Sequence, residues 1–194
     1  MKKAILLSIA SLLLFFVGNA QCKYKSSINT YTKHSISDSK PEVEVATPVW
    51  WLFRKVDKHK FASYSFIKSK GELYLYLHYL EIKSRPFNIL ESNPAILKIA
   101  GGSEMTLYPT GDYTGKTPGI GKNLIAVFYK INQEQVEQLA NHSVVNVKLN
   151  FISEEKYDGC LTNDDGTYYY WLPVEQGKHT EKFKEMAKCI LDHK

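Results

Sequence analysis

Past residue 20 the chain has no apolar segment approaching the roughly twenty residues that a membrane-spanning helix requires. Cysteine is scarce too: there are three in 194 residues, and none stands in a Cys-x-x-Cys pair. The six histidines show no i, i+4 pairing, so neither residue type supplies a zinc-binding frame. Charge of one sign is also lacking. The 25 Lys and Arg face 20 Asp and Glu; Lys2 and Lys3 belong to the leader, which leaves 23 against 20. Nucleic-acid binding needs basic residues gathered on one face or helix, and no such cluster is present. No internal repeat is evident.

Chemical motifs are missing where they are most suggested. Residues 111–123 read GDYTGKTPGIGKN, which combines Gly-Lys-Thr with Gly-x-Gly-Lys. A phosphate loop needs Gly, four residues and then Gly-Lys-Ser/Thr, opening into a helix whose N-terminus faces the phosphates. Only three residues separate Gly111 from Gly115, and Pro118 sits where a helix would begin. The stretch therefore reads as a long loop between strands that binds no nucleotide, with Lys116 and Lys122 solvated. Asn163, Asp165 and Gly166 fall in a calcium-loop order, but the first and last ligand positions are Leu161 and Leu172, which cannot coordinate. Cys160 lies in Tyr-Asp-Gly-Cys-Leu, which matches no nucleophile signature. Glu154-Glu155 and Asp164-Asp165 are adjacent acids of the kind turns provide, not two carboxylates set across a sugar. No catalytic, cofactor-binding or metal-ligating residue is nominated, and no cofactor is expected.

What is present begins with MKKAILLSIASLLLFFVGNAQC. Two lysines, an apolar run from Ala4 to Val17 and a small-x-small site at Gly18-Asn19-Ala20 make an export signal over residues 1–20. Cys22 offers a second reading, a lipoprotein anchored through that residue, but Gln21 stands where Gly, Ala or Ser usually precedes a lipidated cysteine. The preferred expectation is cleavage after Ala20 and a periplasmic or extracellular protein with no transmembrane span. Residues 21–44 read as a flexible polar tail and 45–194 as a single domain. In an oxidising compartment Cys160 and Cys189 are expected to pair, closing a loop of about thirty residues worth roughly 3–4 kcal/mol.

Periodicity then sets the fold class. In GELYLYLHYLEIK, Leu73, Leu75 and Leu77 alternate with Tyr74, Tyr76 and His78, a strand period. FASYSFIK precedes it across Ser69-Lys70-Gly71, a hairpin with Gly71 left-handed; ILKIA and SEMTLY form a second hairpin across Gly101-Gly102. NLIAVFYKI is a strand that feeds a helix capped by Asn132, with Gln135 three residues on. SVVNVKLNF alternates again. Near 180–193, Phe183, Met186, Ala187, Ile190 and Leu191 recur as a helical stripe. Strands joined by short turns with two late helices predict an α+β, mainly antiparallel domain: a curled sheet or sandwich of about eight strands, with one helix C-terminal.

The order "LKIAGGSEMTLY", then "FYKINQEQVEQLANHSVVNVKLNF", then "EKFKEMAKCIL" resembles small exported proteins common in Bacteroidota, over roughly residues 65–191. The resemblance implies an exported fold without an assigned biochemical role and carries over no catalytic residue.

Aromatic residues are plentiful, with 13 Tyr, 9 Phe and 3 Trp, concentrated in VWWLF, the 73–79 strand and TYYYWL. Neighbours on a strand point to opposite faces, so these rings cannot all enter one core. Either both sheet faces are covered, or Trp50, Trp51, Tyr169 and Trp171 form a partner surface. Three functions follow as expectations. The first is an exported non-enzymatic interaction protein that binds an envelope partner or neutralises a toxin. The second is a glycan-binding module using exposed aromatics, and the third a hydrolase with a scattered site.

Overall fold

The computed structural model describes residues 22–26, 35–36, 41–54, 60–82, 87–115, 122–154, 156, 159–174 and 177–193. The signal segment and Lys116 lie outside them. Three antiparallel sheets account for the strands. The first runs β10 (Lys122–Ile131), β5 (Glu72–Ile82), β4 (Lys60–Ser69), β2 (Val45–Ala46), with β3 (Trp50–Arg54) also pairing β4. The second runs β12 (Leu161–Thr162), β13 (Tyr168–Pro173), β11 (Val144–Phe151), β7 (Ala95–Ile99), β8 (Glu104–Leu107). A small third sheet joins β1 (Ser35–Ile36), β9 (Tyr113–Gly115) and β6 (Asn88–Ile89). The α+β, mainly antiparallel class is as expected. There are more strands than eight because β1, β2, β6 and β12 are two residues long, too short to show any period.

Local chemistry explains the long elements. The β4–β5 hairpin turns through Lys70 at φ 49° and Gly71 at φ 80°. Positive φ at both central positions matches the right-handed twist of the strands it joins. Helix α1 (Gln133–Asn141) starts on Asn132: Gln135 N donates to Asn132 Oδ1 at 2.8 Å, and Asn132 N donates to Gln135 Oε1 at 2.9 Å. This reciprocal box satisfies two of the donors that a helix start leaves unpaired. Helix α2 (Lys178–Asp192) buries Phe183, Met186, Ala187 and Ile190, most of the stripe read from its spacing. Phe183 packs on the first sheet, its ring centre 4.4 Å from Tyr64 in a tilted contact and 5.3 Å from Phe66 edge to face.

The two large sheets differ in how they are covered. On β5 and its neighbours, Leu75, Leu77 and Tyr79 occupy one face and Tyr74, Tyr76 and His78 the other, and all six are buried. The alternation read on this strand is therefore between two kinds of buried residue, as in a sheet packed on both faces. The second sheet is buried on one face, through Leu97, Leu107, Val147, Leu149, Phe151, Tyr170 and Leu172. Rings from the two sheets meet where Tyr79 lies 5.7 Å from Tyr170, and Phe87, just before β6, bridges them at 5.8 Å from Tyr79 and 5.0 Å from Phe151. Much of the aromatic excess is thus core.

That burial has a titration consequence. Tyr64 and Tyr129 are pushed well above the ordinary tyrosine value, first by desolvation and then by Glu185 and Tyr113 respectively. Tyr74 is raised to about 12, again by burial first and then by Glu72. A raised phenol pKa means the fold favours the neutral ring. Its contribution is complete below the unfolded value near 10 and is lost as pH climbs through the folded value. In an alkaline titration, absorbance should show part of the tyrosines ionising near pH 10 and the rest only together with loss of the circular-dichroism signal. Complete ionisation at that pH with an unchanged spectrum would contradict these buried phenols.

Candidate functional site

The outward face of the second sheet carries side chains that the core does not need. Strand period places Ile96 and Lys98 of β7, Lys148 and Asn150 of β11, and Tyr169 and Trp171 of β13 on this side. Register brings them together: Lys148 lies opposite both Trp171 and Ile96, and Asn150 lies opposite Tyr169. The Lys148 ammonium stands 4.0 Å from the Tyr169 ring centre, and the Lys98 ammonium 4.3 Å from that of Trp171. Both distances are well inside the roughly 6 Å range of cation–π attraction. The two rings meet edge to face at 6.3 Å. Leu161, half exposed at 50%, faces Tyr169 from β12 and extends the apolar area.

A polar hub borders this face. Asn163 Oδ1 accepts from Lys148 Nζ at 2.7 Å, and Asn163 Nδ2 donates to Asn150 Oδ1 at 3.0 Å and to Thr167 Oγ1 at 2.8 Å. Asn150 Nδ2 donates in turn to the Pro94 carbonyl at 2.6 Å. Asp165 accepts from the hydroxyl and backbone N–H of Thr167, and these bonds hold its carboxyl below the usual range. The hub fixes the 163–167 turn and, through Asn163, the position of the Lys148 ammonium. Residues 163–166 form a turn, closed by the Gly166 N–H donating to the Asn163 carbonyl at 3.0 Å.

Trp50, Trp51, Tyr169 and Trp171 do not share one setting. Tyr169 and Trp171 lie together, each half-buried. Trp50, also half-buried, sits against α2, with the Lys178 and Lys182 ammonium groups each 5.7 Å from its ring and the His179 ring at 6.3 Å. The side chain of Trp51 lies outside the described residues. Sequence reasoning missed the lysines: Lys148 was legible as outward on its strand, but its partner ring is set by β11–β13 register. Lys98 needed the β7–β11 register as well.

The expected Cys160–Cys189 bridge is not formed. Cys189 pairs with Cys22, with a Cα separation of 5.5 Å, and Cys160 is a buried free thiol. The reason lies in residues 22–26, within the segment read as a polar tail. Lys25 and Ala46 exchange backbone hydrogen bonds at 2.8 Å, and the Tyr24 hydroxyl donates to the Cys189 carbonyl at 2.8 Å. These contacts carry Cys22 onto the flank of α2 where Cys189 lies off the main stripe. A lipid thioether would require the same Cys22 sulfur, so the bridged chain has none free for that anchor. Among the described residues no helix is long and apolar enough to cross a membrane.

Two further polar contacts among the described residues bear on chemistry. Ser63 Oγ and His78 Nδ1 lie 3.2 Å apart, but both side chains are buried between strands. The Glu72 carboxyl is held below its ordinary value by hydrogen bonds from Lys130 and Tyr74, the opposite of a general acid's shift. Among the described residues no group of three or more His, Cys, Asp or Glu converges as a metal site. No family model, curated protein or solved structure matches this chain.

Proposed function

We propose that this chain is an exported, non-enzymatic binding protein that engages an acidic protein partner through the outward face of β13, β11 and β7. The observation carrying this reading is the pair of ammonium groups held over Trp171 and Tyr169. A surface ring covered by a fixed lysine offers apolar area and positive charge at one spot. A partner carboxylate can pair with Lys148, or share Lys98 with Glu104, whose carboxylate lies 3.7 Å from that ammonium, while the apolar part of its side chain lies on the ring. Trp and Tyr are also the residues that dominate interface energies once water is excluded. A toxin of the periplasm or a protein of the envelope fits this description. A glycan fits less well, because stacking needs an open ring face and here an ammonium occupies one on each ring.

The test is a pull-down from the exported fraction of the source cells, followed by affinity measurement with the purified partner. Trp171→Ala and Lys98→Glu should each weaken binding by about 2 kcal/mol or more, and added salt should weaken it further. Tyr108→Ala, at a ring 57% exposed on another strand end, should leave it unchanged. Equal effects from all three variants, or none from the first two, would reject this face as the interface.

A further inference from the structure

A second site stands apart from the sheet face. Where α2 passes the segment 47–50, the strap formed by residues 22–26 closes a cavity of about 290 Å³. Its apolar wall is Pro48, Trp50, Met186 and the Cys22–Cys189 bridge itself. Its charged lining is Lys23, Lys182 and Glu185, and Lys182 Nζ donates to Glu185 Oε1 at 2.8 Å. Lys178 adds a third ammonium near the same indole, at 5.7 Å. Two cations and one carboxylate line the cavity, and Lys178 stands by its indole wall, so the charge there is net positive.

We infer that this cavity binds a small amphipathic anion, a carboxylate carrying one ring or a short aliphatic chain. Size sets the upper limit: ligand pockets run upward from roughly 300 Å³, so this one admits a single ring or short chain and excludes a whole phospholipid. Charge selects the head group. The carboxylate lies toward Lys23 and Lys182, while the apolar body packs on the Trp50 indole, the Met186 thioether and the disulfide sulfurs, polarisable surfaces that suit a ring or methylene chain. Lys23 and Lys182 repel cationic ligands, and Glu185, already paired with Lys182, offers an amine no free carboxylate. The bridge gives the site a second property. Cys22 and Lys23 are wall residues fastened to α2 by the Cys22–Cys189 bond, so the site is complete only in the oxidised chain.

Trp50 serves as the reporter. The mature oxidised protein is titrated with octanoate, with indole-3-acetate and with octylammonium, following tryptophan emission for the aliphatic ligands and calorimetry for the indole. Saturable binding of at least one acid is expected, with octylammonium silent and the octanoate signal lost in Trp50→Phe. The double variant Lys23→Gln, Lys182→Gln should bind roughly tenfold more weakly or worse, with an unchanged circular-dichroism spectrum. Cys22→Ser should be weakened similarly. The contrast between heads on the parent protein needs no variant, so misfolding cannot mask it. Equal response to acid and amine, no response to either acid up to about 10 mM, or undiminished affinity in the lysine variant overturns the site. Undiminished affinity in Cys22→Ser overturns the bridge as its wall. None of these outcomes depends on the sheet-face interface.

Discussion

Replacing Cys22 with serine is expected to lower the unfolding free energy of the mature chain by about 3–5 kcal/mol, the largest effect of any exposed-segment change. The bridge joins residues 167 apart in sequence. Loop-closure entropy removed from the unfolded state grows with loop length, reaching about 5 kcal/mol for a loop of this size. The native side of the balance is supported independently, because Tyr24 and Lys25 already hold the strap beside α2. Cys189→Ser should cost the same as Cys22→Ser, and the double variant no more than either, since all three remove one bond. Cys160→Ser should behave differently: it changes a buried thiol to a hydroxyl and leaves the bridge intact, for a loss nearer 1 kcal/mol. Urea unfolding of the four proteins, with peptide mapping under non-reducing conditions, separates these cases. A Cys160–Cys189 peptide would refute the pairing described.

Phe183→Ala should destabilise by about 3–5 kcal/mol, because the ring is fully buried at the contact between α2 and the first sheet. Its neighbours Tyr64 and Phe66 belong to β4, held between β5 on one side and β2 and β3 on the other, so the strand cannot move in to fill the space. The loss therefore includes a cavity as well as the transfer energy of the ring. Leu191→Ala, at the half-buried end of the same stripe, should cost distinctly less. A large effect also makes α2 a reporter for the ligand cavity, since Lys182, Met186 and Cys189 all ride on it. Equilibrium unfolding with a Phe183→Leu control measures this, and a loss below about 1 kcal/mol for the alanine variant would mean that the helix is not anchored by this ring.

Features that depend on neighbours within a few residues were legible along the chain. The Asn132–Gln135 box, the positive φ at Gly71, Gly101 and Gly102, and the α2 stripe through Phe183, Met186, Ala187 and Ile190 are governed by contacts at i to i+4 or by a single backbone angle. The antiparallel class followed from the short turns. The remaining features depend on long-range packing. Alternation along β5 specified two faces but not that both would be covered, because burial depends on what packs against the strand. Lys98 meets Trp171 through the pairing of three strands, β7, β11 and β13, and a one-residue slip in either register would part them. The choice of Cys22 over Cys160 as the partner of Cys189 was set by a backbone bridge at Lys25 and Ala46 and by the Tyr24 hydroxyl, contacts spanning 21 and 165 residues that no local pattern encodes.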